Sequence, residues 1–422
     1  MQSPLSPENV TRHVLSNGLV VLVKENHSAA SIVVRGRMLA GAVWENAKKA
    51  GVADFTASAS NRGTARYSFR KLNEEFDRLG LRFGVSAGTD AAGFSGKCLT
   101  EDFDSLLGIA EEVLRYPTFP EKEVEKLRHQ LITDVRESSD DTRHVAHRTF
   151  RELLYPASHP YHHPPEGTEA TLKRVMRADV VKFHTRYVRP DQMTMVIVGD
   201  VHADDVFAKI EKHFGSWKSR GKATRFEIPD VAPVAQPVKK EIGLKGKFQS
   251  DLIIGFPGLR RADPDYYALS LGDLIFGRMG LNGRVGAHVR EELGLAYYVY
   301  SSLEAGMGAG PWSVSGGVNP RNVGRALEAI QAEIKELREH GVTQDELGEA
   351  QDFLTGFLAL RLETNDGVAA SLSDIEFFNL GLDYIERYPT IIKSLTREQI
   401  HAAVQQYARL ENAVTVVVGP DT

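Results

Sequence analysis

The apolar residues of the chain recur with two periods, which predict strands and helices in roughly equal measure. Strands are predicted at Leu19–Val23, Ser31–Arg35, Met195–Val198, Leu252–Ile254 and Val414–Val418. Helices are predicted at Arg70–Leu79, Thr100–Arg115, Lys122–Glu137, Val323–His340 and Gln344–Leu360. The two types are interspersed without the steady alternation of a doubly wound parallel sheet. The pattern therefore predicts an α+β fold with antiparallel or mixed sheets.

Two segments of the chain match when one is shifted by 220 residues. They are LKRVMRADVVKFHTRYVRPDQMTMVIVGD from Leu172 and IKSLTREQIHAAVQQYARLENAVTVVVGP from Ile392. Each is an amphipathic helix followed by an apolar strand that stops at glycine, and Tyr187 aligns with Tyr407. The match predicts an internal duplication, with two related domains that form a clamshell.

A segment rich in Pro, Ser, Gly and Lys separates the two halves, GSWKSRGKATRFEIPDVAPVAQPVKK. Such a composition is typical of a linker. The sequence therefore predicts an N-terminal domain at residues 1–216, a linker at 217–238 and a C-terminal domain at 239–422.

Composition excludes several classes of protein. The formal charge of −5 is spread without long runs of one sign, which argues against nucleic acid or an anionic membrane as the main partner. Cys98 is the only cysteine, so a metal site must use histidines and carboxylates. The first residues lack a basic stretch followed by an apolar core, and no long apolar window occurs. We expect a soluble chain without membrane insertion, in either the cytoplasm or the periplasm.

The stretch GVADFTASASNRGT, Gly51 to Thr64, predicts a short helix behind a glycine, but it contains no histidine, glutamate or cysteine. With the preceding residues from Asn17, NGLVVLVKENHSAASIVVRGRMLAGAVWENAKKA, it resembles the opening of the pitrilysin-type inverted zincins. That family includes insulin-degrading enzyme and mitochondrial processing peptidase. In the family, a strand beginning Asn-Gly-Leu and a glycine-rich turn precede a helix that carries His-x-x-Glu-His.

The resemblance implies that the zinc-motif positions fall on Asp54, Ala57 and Ser58. Two histidines four apart share one helix face and hold zinc, and the glutamate activates the bound water. Here the base is replaced by a methyl group and the second ligand by a hydroxyl. The third ligand of the family corresponds to Asp134, 76 positions beyond Ser58. Two carboxylates are few for any cation, so we expect no catalytic metal in this chain.

Other histidines offer an alternative metal site. His159, His162 and His163 lie in SHPYHHPPEGT, which resembles a structural His-Pro-Tyr loop of the family. His144 and His147 are three apart on a predicted helix, and we interpret them as part of a solvated helix face. Neither group shows the ligand and base arrangement that catalytic zinc requires.

The stretch LNGRVGAHVREELGLAYYVYSS, from Leu281, resembles the C-terminal signature of the family. Arg290 and Tyr297 match an arginine and a tyrosine that bind the substrate beside the scissile carbonyl, across from the zinc domain. A fixed cation and a phenol suit an oxyanion that develops in the transition state. The alternatives are a surface salt bridge for Arg290 and a packed aromatic for Tyr297. The surrounding Arg284 and Gly294–Ala296 also follow the signature and favour the functional interpretation.

The small-residue stretch LRFGVSAGTDAAGFSGKCL, from Leu81, allows two interpretations. The resemblance implies a sheet edge to which an extended peptide adds through main-chain hydrogen bonds. A plain hairpin explains the pattern equally well.

Together these features predict the non-catalytic subunit of a heterodimeric zinc peptidase. The homologous partner would carry the intact motif and the zinc, and this chain would supply Arg290 and Tyr297 for cleavage of unfolded peptides. One alternative is an inert scaffold or binding protein on the same fold, as in the core of a respiratory complex. Another is an active hydrolase with a relocated metal.

Overall fold

The computed structural model describes residues 5–223, 227–279 and 282–421, and its strands form two sheets. The strands are β1 (Thr11–Val14), β2 (Val20–Glu25), β3 (Ser31–Met38), β4 (Arg82–Ala87), β5 (Ala92–Leu99), β6 (Met193–Gly199), β7 (Val238–Leu244), β8 (Ser250–Pro257), β9 (Ala296–Leu303), β10 (Pro311–Val318) and β11 (Val414–Pro420). All five predicted strands lie within or overlap these elements.

The helices lie between the strands and after them. They are α1 (Val52–Ser60), α2 (Phe69–Leu79), α3 (Phe103–Arg115), α4 (Glu121–Ser139), α5 (Thr142–Leu154), α6 (Glu169–Leu172), α7 (Arg177–Tyr187), α8 (Ala203–Ile210), α9 (Tyr266–Asp273), α10 (Val323–His340), α11 (Gln344–Arg361), α12 (Asn365–Phe377), α13 (Tyr384–Lys393) and α14 (Arg397–Tyr407). Helix α10 has the predicted bounds, and α11 ends one residue later than predicted.

The two sheets repeat one topology. The first has the strand order β1-β2-β6-β3-β5-β4 and the second the order β7-β11-β8-β10-β9. In each sheet one parallel pair, β2 with β6 or β7 with β11, continues into antiparallel pairs. Five strands therefore occur twice in the same arrangement, with β1 added in the first sheet. This confirms the α+β class, the mixed sheets and the two related domains.

The repeat is also visible in single residues. Helices α7 and α14 begin and end 220 positions apart. At Gly199, near the end of the strand after α7, a Cβ atom would lie 2.2 Å from the Ser31 carbonyl oxygen, and the positive φ of 147° also favours glycine. At Gly419 a Cβ would lie 2.2 Å from the Ser250 hydroxyl. Ser31 and Ser250 open the equivalent strands β3 and β8, so in both copies a glycine lies close to the first residue of that strand, at its backbone in one and at its side chain in the other.

The chain forms two compact units that interleave along the sequence. The first contains Met1–Val135, Pro164–Phe226 and Phe357–Tyr388, and the second contains Arg136–His163, Glu227–Gly356 and Pro389–Thr422. Each sheet is thus covered by one helix from the other half of the chain. The predicted division of the sequence at 217–238 follows the repeat. The compact units differ from that division because each contains a segment from the other half of the chain. Residues 217–223 and 227–237 contain no helix or strand.

In the first unit, α12 packs on β3 and β6. Its apolar face includes Leu372 and Ile375, which are buried with Val196 and Val198 of β6. Ion pairs hold the C-terminal end of the helix, where Arg12 donates two hydrogen bonds to Glu376 and Arg37 donates one to Asp374 at 2.7 Å. Burial of the apolar face is the main stabilising contribution, since exposed ion pairs contribute little.

In the second unit, α5 covers β8 and β11. Its buried Phe150 lies over Gly255, where an added Cβ would come within 2.8 Å of the ring. Thr142 at the start of the helix donates a hydrogen bond to the buried Asp251 of β8. The absence of a side chain at Gly255 therefore makes room for the aromatic residue of this helix.

None of the described helices is both long enough and apolar enough to cross a lipid bilayer.

Replacement of Leu372 by alanine tests the contribution of α12. The side chain is 1% exposed and packs against the first sheet, so Leu372→Ala should lower the free energy of unfolding of this unit by roughly 3 kcal/mol. Urea denaturation monitored by circular dichroism measures the change. Leu360→Ala on α11 is the control, because that leucine is 60% exposed and the expected change is below about 0.5 kcal/mol. Equal effects of the two substitutions would contradict the packing described for α12.

Candidate functional site

Helix α1 presents one narrow face that is not buried. Asp54 and Ser58 are its only partly exposed residues, and the others are buried. The two positions are four apart and lie on the same side of the helix. Ala57, next to them, is 5% exposed. The three positions assigned by resemblance therefore form one surface, as a zinc motif would, but without its ligands and base.

The N-terminus of α1 is held by a carboxylate that the sequence analysis missed. Glu45 accepts hydrogen bonds from the backbone N–H groups of Gly51 at 2.9 Å and Ala53 at 2.6 Å. Burial raises the pKa of Glu45 to about 8, and the two N–H groups act in the opposite direction. This residue satisfies two donors that a helix N-terminus leaves unpaired. Its sequence signal is an acidic residue shortly before a helix that begins behind a glycine.

Two glycines bring a second segment against α1. Gly51 has φ of 94°, and a Cβ there would lie 2.8 Å from the carbonyl oxygen of Glu166. A Cβ on Gly167 would lie 2.4 Å from the carbonyl oxygen of Ala50. This close backbone contact places Glu166 beside the helix.

Helix α4 lies against α1 and carries Asp134. The Arg128 guanidinium of α4 lies 5.4 Å from the centre of the Phe55 ring of α1 and donates a hydrogen bond to the Leu172 carbonyl. Burial, Glu166 and Asp134 raise the pKa of Asp54 to about 6. The structure thus brings Asp54 and Asp134 within electrostatic range, as the sequence alignment expected, and adds Glu166.

These carboxylates do not fit the ligand set of a zinc site. In residues 5–223, 227–279 and 282–421, the only group of three or more potential ligand residues with ligand atoms within 4.8 Å of one another lies elsewhere, at Glu25, His27 and His202. Around α1 a serine hydroxyl and a methyl group replace a ligand and the base, and the remaining donors are acidic oxygens. The donor set fits neither tetrahedral zinc nor a water that is activated beside it.

Strand β4 lies at the edge of the first sheet, where it pairs only with β5. Helix α1 packs beside this strand. The stretch from Leu81 is therefore both a hairpin and a sheet edge, so the two interpretations of the sequence describe one element. The outer side of β4 offers backbone groups that an added strand could pair with.

Arg290 and Tyr297 lie in the second unit, and both are accessible. Arg290 belongs to a π-helical segment, Gly286–Glu292, and its Nε lies 3.5 Å from Glu291 Oε1. Tyr297 is 59% exposed on β9, an edge strand of the second sheet, and so is not a packed core aromatic. The nearby Arg284 is different, since it donates two hydrogen bonds of 2.6 Å to Glu346 and holds two helical segments together.

The histidines of the SHPYHHPPEGT segment have structural contacts. His159 is 3% exposed, accepts a hydrogen bond from the Tyr161 N–H and stacks on the Tyr155 ring. His162 bonds to the Tyr155 carbonyl oxygen. The structural interpretation of this loop is therefore confirmed for these two residues.

The structure does not agree with the interpretation of His144 and His147, on α5, as part of a solvated helix face. His147 is partly buried, its Nε2 lies 3.3 Å from the Ser315 hydroxyl, and burial lowers its pKa. The interpretation was wrong for His147, because α5 covers a sheet. His144 is also only partly exposed.

Comparisons with known proteins define the class. Residues 20–159 match the insulinase model of peptidase family M16, and residues 174–354 match the model described as peptidase M16 inactive domain. The two models together cover well over half of the chain. The chain belongs to peptidase family M16, the pitrilysin-type family that its sequence resembled.

Individual relatives agree with this assignment. An uncharacterized zinc protease of Bacillus subtilis is 26% identical over 357 residues, which is 85% of each chain. The crystal structure of a peptidase M16 inactive domain from Pseudomonas fluorescens has a TM-score of 0.91 and 27% identity over 98% of both chains. The periplasmic protease PqqL from Escherichia coli shares the fold, with a TM-score of 0.79 and 18% identity over 99% of this chain and 48% of its own.

The carboxyl group of Asp54 gives a testable pH dependence. Its pKa of about 6 exceeds the ordinary 3.8, so the folded chain binds this proton more tightly than the unfolded chain. The ionised group therefore weakens the fold at neutral pH, and the loss disappears as the pH falls from 6 to below 4. We expect Asp54→Asn to be more stable than wild type by about 1–3 kcal/mol at pH 7 and equal to it near pH 3.5.

Urea denaturation at both pH values measures this difference. Asp77→Asn, an exposed position on α2, serves as the matched control and should change stability little at either pH. A stability difference between Asp54→Asn and wild type that stays the same at both pH values would rule out the raised pKa.

Proposed function

We propose that this chain is the non-catalytic subunit of a heterodimeric zinc peptidase. The observation that carries the proposal is the partly exposed face of α1, which bears Asp54 and Ser58. The resemblance assigns these two residues to the ligand positions and the buried Ala57 to the position of the base. The fold around this helix is complete. A zinc-binding homologue would therefore perform the hydrolysis, and this chain would contribute substrate contacts.

The similar proteins support pairing of two such chains. PqqL is about twice as long as this chain, which matches 48% of it, so a larger protease holds this whole fold in about half of its length. The Pseudomonas fluorescens structure is described as an inactive domain. A fold that forms half of one protease is suited to act as one of two separate subunits in another.

Arg290 and Tyr297 would act on the substrate in the active site of the partner. Both side chains are accessible, and Arg290 has only its sequence neighbour Glu291 as an ion-pair partner in the described part of the chain. A guanidinium keeps its charge at all relevant pH values, and a phenol donates one hydrogen bond. Directed at the scissile carbonyl, both donors would stabilise the oxyanion more than the ground-state carbonyl.

The substrate class follows from the edge strand. The exposed side of β4 would pair with an extended peptide backbone through hydrogen bonds that are independent of side chains. Most backbone groups of a folded protein are already hydrogen-bonded, so unfolded peptides are the expected substrates.

Reconstitution tests the proposal. The chain is combined with an M16 homologue from the same organism that carries His-x-x-Glu-His, and cleavage of an internally quenched unfolded peptide is followed. Arg290→Ala should lower kcat about 100- to 1,000-fold, the usual effect of losing one oxyanion donor, and Tyr297→Phe should lower it similarly. Zinc content and assembly of the pair should not change.

Matched controls separate this effect from general loss of charge or of a phenol. Arg325→Ala, an exposed arginine on α10, and Tyr116→Phe, a tyrosine that is 42% exposed, should leave kcat unchanged. An active pair whose kcat is insensitive to both Arg290→Ala and Tyr297→Phe would contradict the assigned roles. Failure of every such homologue to associate with the chain would favour the inert scaffold instead.

A further inference from the structure

Three potential metal ligands meet at one end of the first sheet, at a distance in sequence from the zinc-motif positions. Strands β2 and β6 are parallel neighbours, and their register pairs Glu25 with Gly199. Because the strands are parallel, the chain leaves both of them at the same end of the sheet, and the residues that follow come together. His27 follows β2 and His202 follows β6.

The distances between the ligand atoms match a metal site. Glu25 Oε2 lies 3.3 Å from His27 Nε2 and 3.6 Å from His202 Nδ1. All three ligand atoms are within 4.8 Å of one another. A tetrahedral zinc ion with bonds of about 2.1 Å has its ligand atoms about 3.4 Å apart. Both distances from Glu25 Oε2 are close to this value.

A second set of contacts orients two of these ligands. His27 Nδ1 donates a hydrogen bond of 2.7 Å to Asp200 Oδ1, which turns the other ring nitrogen, Nε2, towards Glu25 Oε2, where the metal would bind between them. The other oxygen of Asp200 accepts a hydrogen bond from the Thr100 hydroxyl. Glu25 Oε1 accepts one from the Ala203 N–H, which leaves Oε2 for the metal. Outer contacts of this type are typical of built metal sites and are not needed for a simple surface ion pair.

We infer that Glu25, His27 and His202 bind one zinc ion, with a fourth position open to water. Two imidazoles and one carboxylate suit Zn²⁺ better than Ca²⁺ or Mg²⁺, which prefer oxygen ligands only. The bound ion joins the ends of β2 and β6 and stabilises the first unit, since metal that binds only the folded state favours that state.

Zinc titration of the metal-stripped full chain by isothermal calorimetry tests the inference. Wild type should bind one zinc ion in a saturable way, and the melting temperature should rise by several degrees in excess zinc. His202→Ala should weaken binding by at least about tenfold and abolish the thermal shift, as expected for loss of a ligand. Circular dichroism shows whether the variant folds.

Asp200→Asn is a second variant, which keeps all three ligands and should weaken binding by about 10- to 100-fold through the orientation of His27. His340→Ala is the matched control, because His340 lies on the surface of α10 with Glu336 at 3.0 Å and should not affect zinc binding. The inference fails if wild type shows no saturable uptake of zinc. It also fails if His202→Ala and His340→Ala bind zinc as wild type does.

The result is independent of the proposed peptidase pairing. Zinc at this cluster is lost on substitution of His202, whereas zinc at α1 would be lost on substitution of Asp54. The two sites are thereby distinguished in one set of titrations.

Discussion

The apolar face of each sheet is covered by a helix that the other half of the chain supplies. Helix α12 covers β3 and β6, and α5 covers β8 and β11. Neither half of the sequence can therefore bury its own sheet completely, and the two halves must fold together. Helices α5 and α12 are separate from α1, which carries the positions assigned to the zinc motif. On the proposed function, the fold persists through this packing although α1 lacks the chemistry of the motif.

The surroundings of α1 have kept their structural contacts. Glu45 still holds the helix N-terminus, and Gly51 and Gly167 still allow the backbone to approach it. Burial, together with the charges of Glu166 and Asp134, raises the pKa of Asp54 beside this helix. On the proposed function, Ala57 stands at the position of the base, so this site holds a helix in place without activating water.

The sequence predicted the fold class and the duplication, because local periodicity and a shift of 220 residues carry that information. It did not predict the exchange of α5 and α12, since amphipathic helices do not indicate which sheet they cover. Glu45 and Glu166 were missed for a related reason. Their importance comes from proximity to α1, and neither lies in the motif itself.

The cluster of Glu25, His27 and His202 was also outside the reach of sequence analysis. Glu25 and His202 are far apart in the chain and meet only because β2 and β6 are parallel neighbours. The spacing of residues in the sequence points instead to histidines that are neighbours along the chain, such as His162 and His163. Spacing along a sequence identifies ligands on one helix, whereas ligands at the ends of paired strands need the sheet order.

The central claim is that α1 no longer supports water activation. The most direct measurement is hydrolysis of an unfolded, internally quenched peptide by the purified chain alone, in excess zinc and after chelation. The account predicts the same background rate in both conditions. Zinc-dependent turnover that Asp54→Ala abolishes would contradict it and would show that the chain is itself a peptidase.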